Sequence, residues 1–278
     1  MTQALCIIGN KRSGSTHLME LLNLHPNIFI SNESDIIWIL YRFHNNQEIT
    51  PYPWDTPVGM DKTLEQYETL LSKEKTPLEN FLTIQKAIME NGFIRMKPMH
   101  KENLKWVGDQ KPFQQIDPDI VPFIKTHFTG FKFLHLIRHP APVIRSSKVF
   151  KGGVLWKGMS EDDILARWTM HEEWVNLEKQ KNEIPMLDVK YEDIVKNTAK
   201  TTANMFDFLE VDYDKTLLKE AERTTKRDLK FHPSLKYPPK TVDIMAQYGY
   251  ETSNPFLGNK TFVDAVNFLG KVRKKLLG

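Results

Sequence analysis

Residues 4–22, ALCIIGNKRSGSTHLMELL, decide the fold. The apolar run ALCIIG at 4–9 ends in Gly9, and from Thr16 to Leu24 the residues Leu18, Met19, Leu21 and Leu22 recur at helical spacing. Between strand and helix lies Gly9-Asn10-Lys11-Arg12-Ser13-Gly14-Ser15-Thr16. A strand that turns through such residues into a helix presents backbone N–H groups and the positive end of the helix dipole, which together bind phosphate-like anions. Lys11 and Arg12 add charge, and Ser15 and Thr16 add hydroxyl donors. The two glycines have the spacing of the nucleoside-triphosphate loop, but there the second glycine is followed by Lys-[Ser/Thr], whose lysine reaches the β/γ-phosphates. Here Ser15 follows Gly14, and the basic residue stands two places before the glycine. Such a loop binds an anion but is poorly equipped for ATP with Mg²⁺.

Working outward, Pro26 stops the first helix and IFIS at 28–31 reads as a second strand, with a helix from Glu33 to Phe43. Residues 44–60, with three prolines, read as a long loop. Helices are expected at 61–73 and at 77–91, the second opened by Thr76 before Pro77. A strand at 105–109 precedes a helix over 113–128 that ends before Gly130. FKFLHLIR at 131–138 is a strongly apolar strand, and Pro140 and Pro142 open the next helix, through about Phe150. After a glycine-rich loop at 151–159, Ser160 and Asp163 form a capping-box pattern for a long helix. MLDVKY at 186–191 is a further strand, followed by helices at 197–209 and 213–222, a loop at 226–240 and two closing helices. Short apolar strands alternating with helices predict an α/β fold of three layers, a central parallel sheet with helices on both faces. Ligands in such sheets sit beyond the carboxyl ends of the strands, so the loops after residues 9, 31, 109 and 138 are expected to share one crevice.

A second pattern, FLHLIRHPAPVIRSS at 133–147, places Arg138 at a strand end and Ser146 eight residues on, two turns into the next helix. An arginine in that position can fork onto a phosphate. Together, in this order, the two segments resemble the signatures of the sulfotransferases that use 3′-phosphoadenosine 5′-phosphosulfate (PAPS). Lys-Arg-Ser-Gly-Ser-Thr at 11–16 is similar to their 5′-phosphosulfate loop, with Lys11 where proline is usual and Arg12 in the catalytic lysine/arginine place. The resemblance assigns Lys11, Arg12, Ser13, Gly14, Ser15 and Thr16 to the 5′ end of the donor, and Arg138 and Ser146 to its 3′-phosphate. Gly108-Asp109-Gln110-Lys111-Pro112 resembles a lysine-proline element of the Golgi-type and bacterial branches, where the lysine holds the sulfuryl group. Tyr191-Glu192-Asp193 resembles the element whose tyrosine meets the adenine. The loop at 226–240, with His232, Ser234, Lys236 and Tyr237, resembles a late segment that folds over the nucleotide, with Lys236 near a phosphate. Residues 44–104 carry almost none of this resemblance.

The resemblance implies a P-loop-like fold, one domain over 1–278, and sulfuryl transfer to a hydroxyl or amine by in-line displacement. Arg12, Lys111 and the loop amides stabilise charge. An alcohol also needs a base, and Glu33, just past the second strand, takes that role; His17, His100 and Asp109 are the alternatives. No His/Cys/Asp cluster at metal-ligand spacing is visible, so no metal is expected. Two other readings share these features. A nucleoside or small-molecule kinase would show Gly-Lys-[Ser/Thr], which this loop lacks. A non-catalytic module for 3′-phosphoadenosine 5′-phosphate (PAP) or another anion would be expected to lose Glu33 or Arg12, and both are present.

The bulk composition narrows the partners. The 278 residues are 40% hydrophobic with a net charge of +3, enough apolar content for a core and too little charge to argue for nucleic acid. No uncharged apolar stretch reaches the ~18 residues of a membrane span, and the start lacks a signal-peptide pattern, so a cytoplasmic protein is expected. The single cysteine, Cys6, lies in an apolar run and reads as a buried inert thiol. The basic end at Lys271, Arg273, Lys274 and Lys275 reads as a solvated helical turn. The acceptor is expected to be a small molecule, lipid, glycan or peptide. It would enter past the insertions 44–104 and 151–160, where Tyr52, Trp54, Phe150 and Trp156 give aromatic walls. No pattern in the sequence sets an oligomeric state.

Overall fold

The computed structural model describes residues 2–149, 158–225, 235–252, 268, 269 and 272. Five strands, β1 (Gln3–Gly9), β2 (Ile28–Asn32), β3 (Trp106–Gln110), β4 (Lys132–Ile137) and β5 (Met186–Lys190), form one sheet in the order β2-β3-β1-β4-β5. Every pairing is parallel. The first strand thus lies at the centre, with its loop flanked by the ends of β3 and β4.

The apolar run of β1 is explained by burial on both sides. Ala4, Cys6 and Ile8 enter one core with Phe29 and Phe133, while Leu5 and Ile7 enter another with Leu134 and Leu136. The first core is closed by α2 (Ile36–His44), α4 (Pro77–Asn91), α5 (Val121–His127) and Val175 of α7 (Glu161–Lys181). The second is closed by α1 (Ser15–Asn23), α8 (Tyr191–Lys196), α9 (Thr198–Phe208) and Ala221 of α10 (Lys215–Thr224). A third, smaller cluster joins α6 (Pro140–Val149), the start of α7 and α11 (Pro239–Gln247). These are the three layers expected from the sequence. Cys6 is fully buried, and desolvation pushes its thiol up, so it is inert as expected.

Local signals set most boundaries. Thr76 and Glu79 close a capping box on α4, and Ser160 and Asp163 close one on α7. Three expectations are corrected. The helix expected over 113–128 is a short turn at Gln114–Ile116 followed by α5, because Pro118 and Pro122 interrupt a continuous N–H ladder. The helix expected from Glu33 starts at Ile36, because Glu33 and Asp35 take left-handed φ of 52° and 55°. Tyr191 does not end a strand but begins α8. The segment 44–60 is largely loop, with α3 (Val58–Tyr67) beginning at its end. Within the described residues, no helix is long and apolar enough to cross a membrane. Phe150, Trp156, His232, Ser234, Lys271, Arg273, Lys274 and Lys275 lie outside the described residues.

The two-faced core makes a stability prediction. Ile7→Ala, at a fully buried position, is expected to cost about 2–5 kcal/mol, read as a lower urea midpoint with unchanged slope. Leu177→Ala, on the exposed side of α7, is expected to stay within about 0.5 kcal/mol of the parent.

Candidate active site

At the carboxyl ends of the strands lies a cavity of about 500 Å³. Most of its wall comes from four strand ends: Lys11, Arg12, Gly14, Ser15, Thr16 and His17 after β1; Asn32 and Glu33 at β2; Pro112 after β3; and Arg138 and Ser146 after β4. The expected shared crevice therefore forms.

The loop after β1 is held by its own hydrogen bonds and by its neighbours. Ser13 N donates to Asn10 O (3.1 Å), and Leu18 N donates to Gly14 O as α1 begins (3.1 Å). Gly14 has φ 102°, and a Cβ there would lie 2.5 Å from the Tyr191 ring, so only glycine fits. Gln110 Nε2 donates to Ser15 Oγ (2.7 Å) and Asn10 Nδ2 to Glu172 Oε1 (2.7 Å). Arg138 Nη1 donates to the Arg12 carbonyl (3.1 Å), and its guanidinium lies 4.0 Å from the centre of the Tyr191 ring. Arg12 Nε in turn donates to Ser146 Oγ (3.1 Å). The residues of the two sequence signatures thus touch each other directly.

The cavity is strongly positive. Burial lowers the affinity of the Arg12 guanidinium for its proton; Glu33 opposes this, and the like charges of Arg138 and Arg95 add to it. Crowded guanidinium groups of this kind favour a multivalent anion. The Nε of Arg138 is buried and has no hydrogen-bond partner among the described residues. Backbone strain gathers here as well: Arg12, Glu33 and Arg95 all have left-handed φ (70°, 52° and 59°). The Glu33 carbonyl is packed against Gly59, where a Cβ would approach it to 1.9 Å.

Ser13 is buried beneath the loop rather than lining the cavity. Tyr191 stands behind the wall, against Gly14 and Arg138. Lys236 is exposed and does not line the cavity. Lys111 is not on the cavity wall: it is 1% exposed, with its Nζ 2.9 Å from Asp35 and 3.1 Å from Asp55. Burial opposes the ammonium, but Asp35, Asp55 and the more distant Glu33 outweigh it and hold Lys111 charged well above the ordinary lysine range. Asp55 also pairs with Lys11. Of the alternative bases, His17 lines the cavity and bonds Thr225 Oγ1 (3.1 Å). His100 is exposed beside Glu102 and outside this cavity. Asp109 is fully buried among Ser31, Ser34 and Gln115, and burial pushes it up to about 6. Tyr52, expected on an acceptor wall, is a core residue that donates to Asp117 Oδ2 (2.7 Å) and packs on Trp38.

Sequence reasoning missed Arg95, Ile94, Thr56 and Val58 on the wall. They come from the segment without family resemblance, and no local spacing marks them. It also missed a buried group behind the loop. His135 lies between Glu172 (3.1 Å) and Asp188 (2.7 Å), and His171 bonds the other Glu172 oxygen (3.1 Å). These residue types can ligate metal. Their ring and carboxylate atoms already face one another, and the group braces Asn10 of the loop through Glu172.

Residues 4–215 match the Sulfotransferase family. The chain belongs to that family, whose members transfer sulfuryl groups. Among solved structures, the sulfotransferase domain of the curacin biosynthetic pathway is 18% identical with a TM-score of 0.56, covering 90% of this chain and 99% of that domain. The sulfotransferase domain of the Synechococcus PCC 7002 olefin synthase is 20% identical with a TM-score of 0.56, covering 90% and 95%. A Mycobacterium avium sulfotransferase is 9% identical with a TM-score of 0.55, covering 90% and 78%. At these identities the likeness is one of fold. No curated protein matches the sequence.

The buried group behind the loop makes a pH prediction. Burial disfavours charged His135, but Glu172 and Asp188 outweigh it and raise its affinity for a proton above the usual 6.5. Burial likewise opposes ionised Glu172, and His135 outweighs that, so its carboxyl falls well below the usual 4.5. The His135 contribution is complete below about pH 6.5 and fades as pH rises through its folded value; that of Glu172 is complete above about pH 4.5 and fades on acidification. The stability lost in His135→Gln, measured by thermal unfolding, is therefore expected to be greatest between about pH 4.5 and 6.5 and to shrink toward alkaline pH.

Proposed function

We propose that this chain moves the sulfuryl group of PAPS onto a hydroxyl acceptor, with no metal in the transfer step. The observation that carries the reading is the contact between the two signature segments: Arg12 bonds Ser146, Arg138 bonds the Arg12 carbonyl, and both arginines line one cavity. In this reading Arg138 and Ser146 hold the 3′-phosphate, with Tyr191 behind them toward the adenine. The 5′-phosphosulfate lies over the N–H groups at the start of α1, with Lys11, Arg12, Ser15 and Thr16 around it.

Glu33 is the single carboxylate on the described wall, and it sits on the opposite side of the loop from Arg138. The acceptor oxygen attacks sulfur as its proton passes to the Glu33 carboxylate. The sulfur–oxygen bond to the 5′-phosphate breaks, and PAP departs with the electron pair. Charge grows on the bridging and sulfuryl oxygens, where Arg12 and the loop amides face it. Lys111 acts through position: its bonds to Asp35 and Asp55 fix the backbone that carries Glu33 and the side chain of Lys11. A kinase reading lacks a lysine after Gly14.

Two measurements test this function. By calorimetry PAP is expected to bind at least tenfold more tightly than AMP, and Arg138→Ala to remove most of that gap, about 1.5–3 kcal/mol for a charged hydrogen-bonding contact; equal affinities in the parent would reject the 3′-phosphate site. Glu33→Gln is expected to retain PAP affinity and to lose about 10²–10⁴-fold in turnover with sulfur-labelled PAPS. Unchanged turnover would remove Glu33 as the base and leave His17 as the cavity's remaining candidate.

A further inference from the structure

Arg95 stands on the cavity wall in a turn between α4 and β3. The turn is tightly built. Phe93 and Met96 form an isolated antiparallel bridge, and the Phe93 side chain is anchored in the core. Asn32 Nδ2 donates to the Ile94 carbonyl (3.0 Å), which ties the turn to the end of β2 beside Glu33. Arg95 itself holds φ 59°, an uncommon conformation for a residue other than glycine. Its side chain is exposed, and among the described residues it forms no ion pair. A cation held in a strained, braced turn at a cavity wall, without a carboxylate partner, is placed to receive an anion from solution.

The sheet order decides which anion. Arg138 and Ser146 follow β4, on one side of the central strand; Glu33 and the Arg95 turn are tied to β2, on the other side. Three strand spacings separate β2 from β4, about 14 Å. The donor, on the reading above, occupies the β1–β4 side and reaches only as far as the loop. Arg95 therefore lies on the acceptor side, next to the base, with Ile94 and Val58 as apolar wall beside it.

We infer that Arg95 anchors the acceptor, and that the acceptor class is a hydroxy compound carrying a carboxylate or comparable anionic group. The inference rests on the sulfotransferase reading of this cavity and adds its substrate class. The acid group pairs with the guanidinium while the hydroxyl is turned toward Glu33. Arg95 is then a specificity residue: it acts on acceptor affinity and leaves donor affinity alone.

The test separates the two levels. The protein is first saturated with PAP, followed by calorimetry; failure to load PAP would strike the donor reading rather than Arg95. Matched probes, hydroxy acids of increasing length up to 4-hydroxyphenylacetate and the corresponding neutral amides, are then titrated into the PAP-loaded protein. At least one acid is expected to bind about tenfold more tightly than its amide. Arg95→Asn, which tolerates the left-handed turn, is expected to abolish that difference, and Arg95→Lys to restore part of it, with PAP affinity within twofold throughout. Equal binding of every acid and amide to the parent, including no binding of either, would overturn the inference. So would a loss of PAP affinity in Arg95→Asn, which would assign Arg95 to the donor.

Discussion

Lys111 lies out of water between Asp35 and Asp55, and Asp55 reaches on to Lys11. Removing an ammonium from water costs several kcal/mol unless it is closely paired, so this chain of charges is held to one arrangement. It ties the loop after β1 to the loops after β2 and β3. Asp35 belongs to the same left-handed turn as Glu33, and Gln114 Nε2 donates to its other oxygen (2.8 Å). The backbone that carries Glu33 is thereby tied to the loop that carries Arg12. Lys111, read from its motif as a group that holds sulfuryl, serves in this geometry as the buried cation that keeps the cavity wall in register.

A second bracing acts on the other side of the same loop. Glu172 of the long helix α7 accepts from Asn10, and it is itself held by His135 of β4 and by His171. Trp168 of the same helix donates to the Arg138 carbonyl (3.1 Å). The loop after β1 thus rests between two ionic groups, and Arg138 is steadied from the helix that the Ser160 capping box starts. The like charges of Arg138 and Arg95 disfavour that of Arg12, and this frame holds the loop that carries Arg12 against that repulsion.

Most of the fold was legible because it rests on local signals. The continuous apolar run of β1 announced burial on both faces, and the glycine-bounded loop announced the turn into α1. Arg138 and Ser146 were legible because strand, turn and two helical turns fix their separation within one segment. The missed features lack such signals. The turn that carries Arg95 is tied to the wall by a tertiary hydrogen bond from Asn32 to the carbonyl of Ile94, sixty-two residues away in sequence. The His135–Glu172–Asp188 group combines β4, α7 and β5. Lys111 sits in its motif as read, but its partners Asp35 and Asp55 come from distant loops, so its burial was invisible. Glu33 was placed correctly just past β2, yet its left-handed backbone, with which α2 starts three residues later than expected, has no local signal in the sequence; its carbonyl packs on Gly59 from a distant segment.

The account depends on a bisphosphorylated adenosine lying along the sheet edge from β4 to β1, with Glu33 and Arg95 facing its sulfuryl end. A crystal structure of the complex with PAP tests this most directly. The account predicts the 3′-phosphate within hydrogen-bonding distance of Arg138 and Ser146, and the 5′-phosphate on the N–H groups that open α1. A nucleotide bound in the reverse direction, or with its 5′-phosphate on the Arg95 side of the cavity, would contradict it.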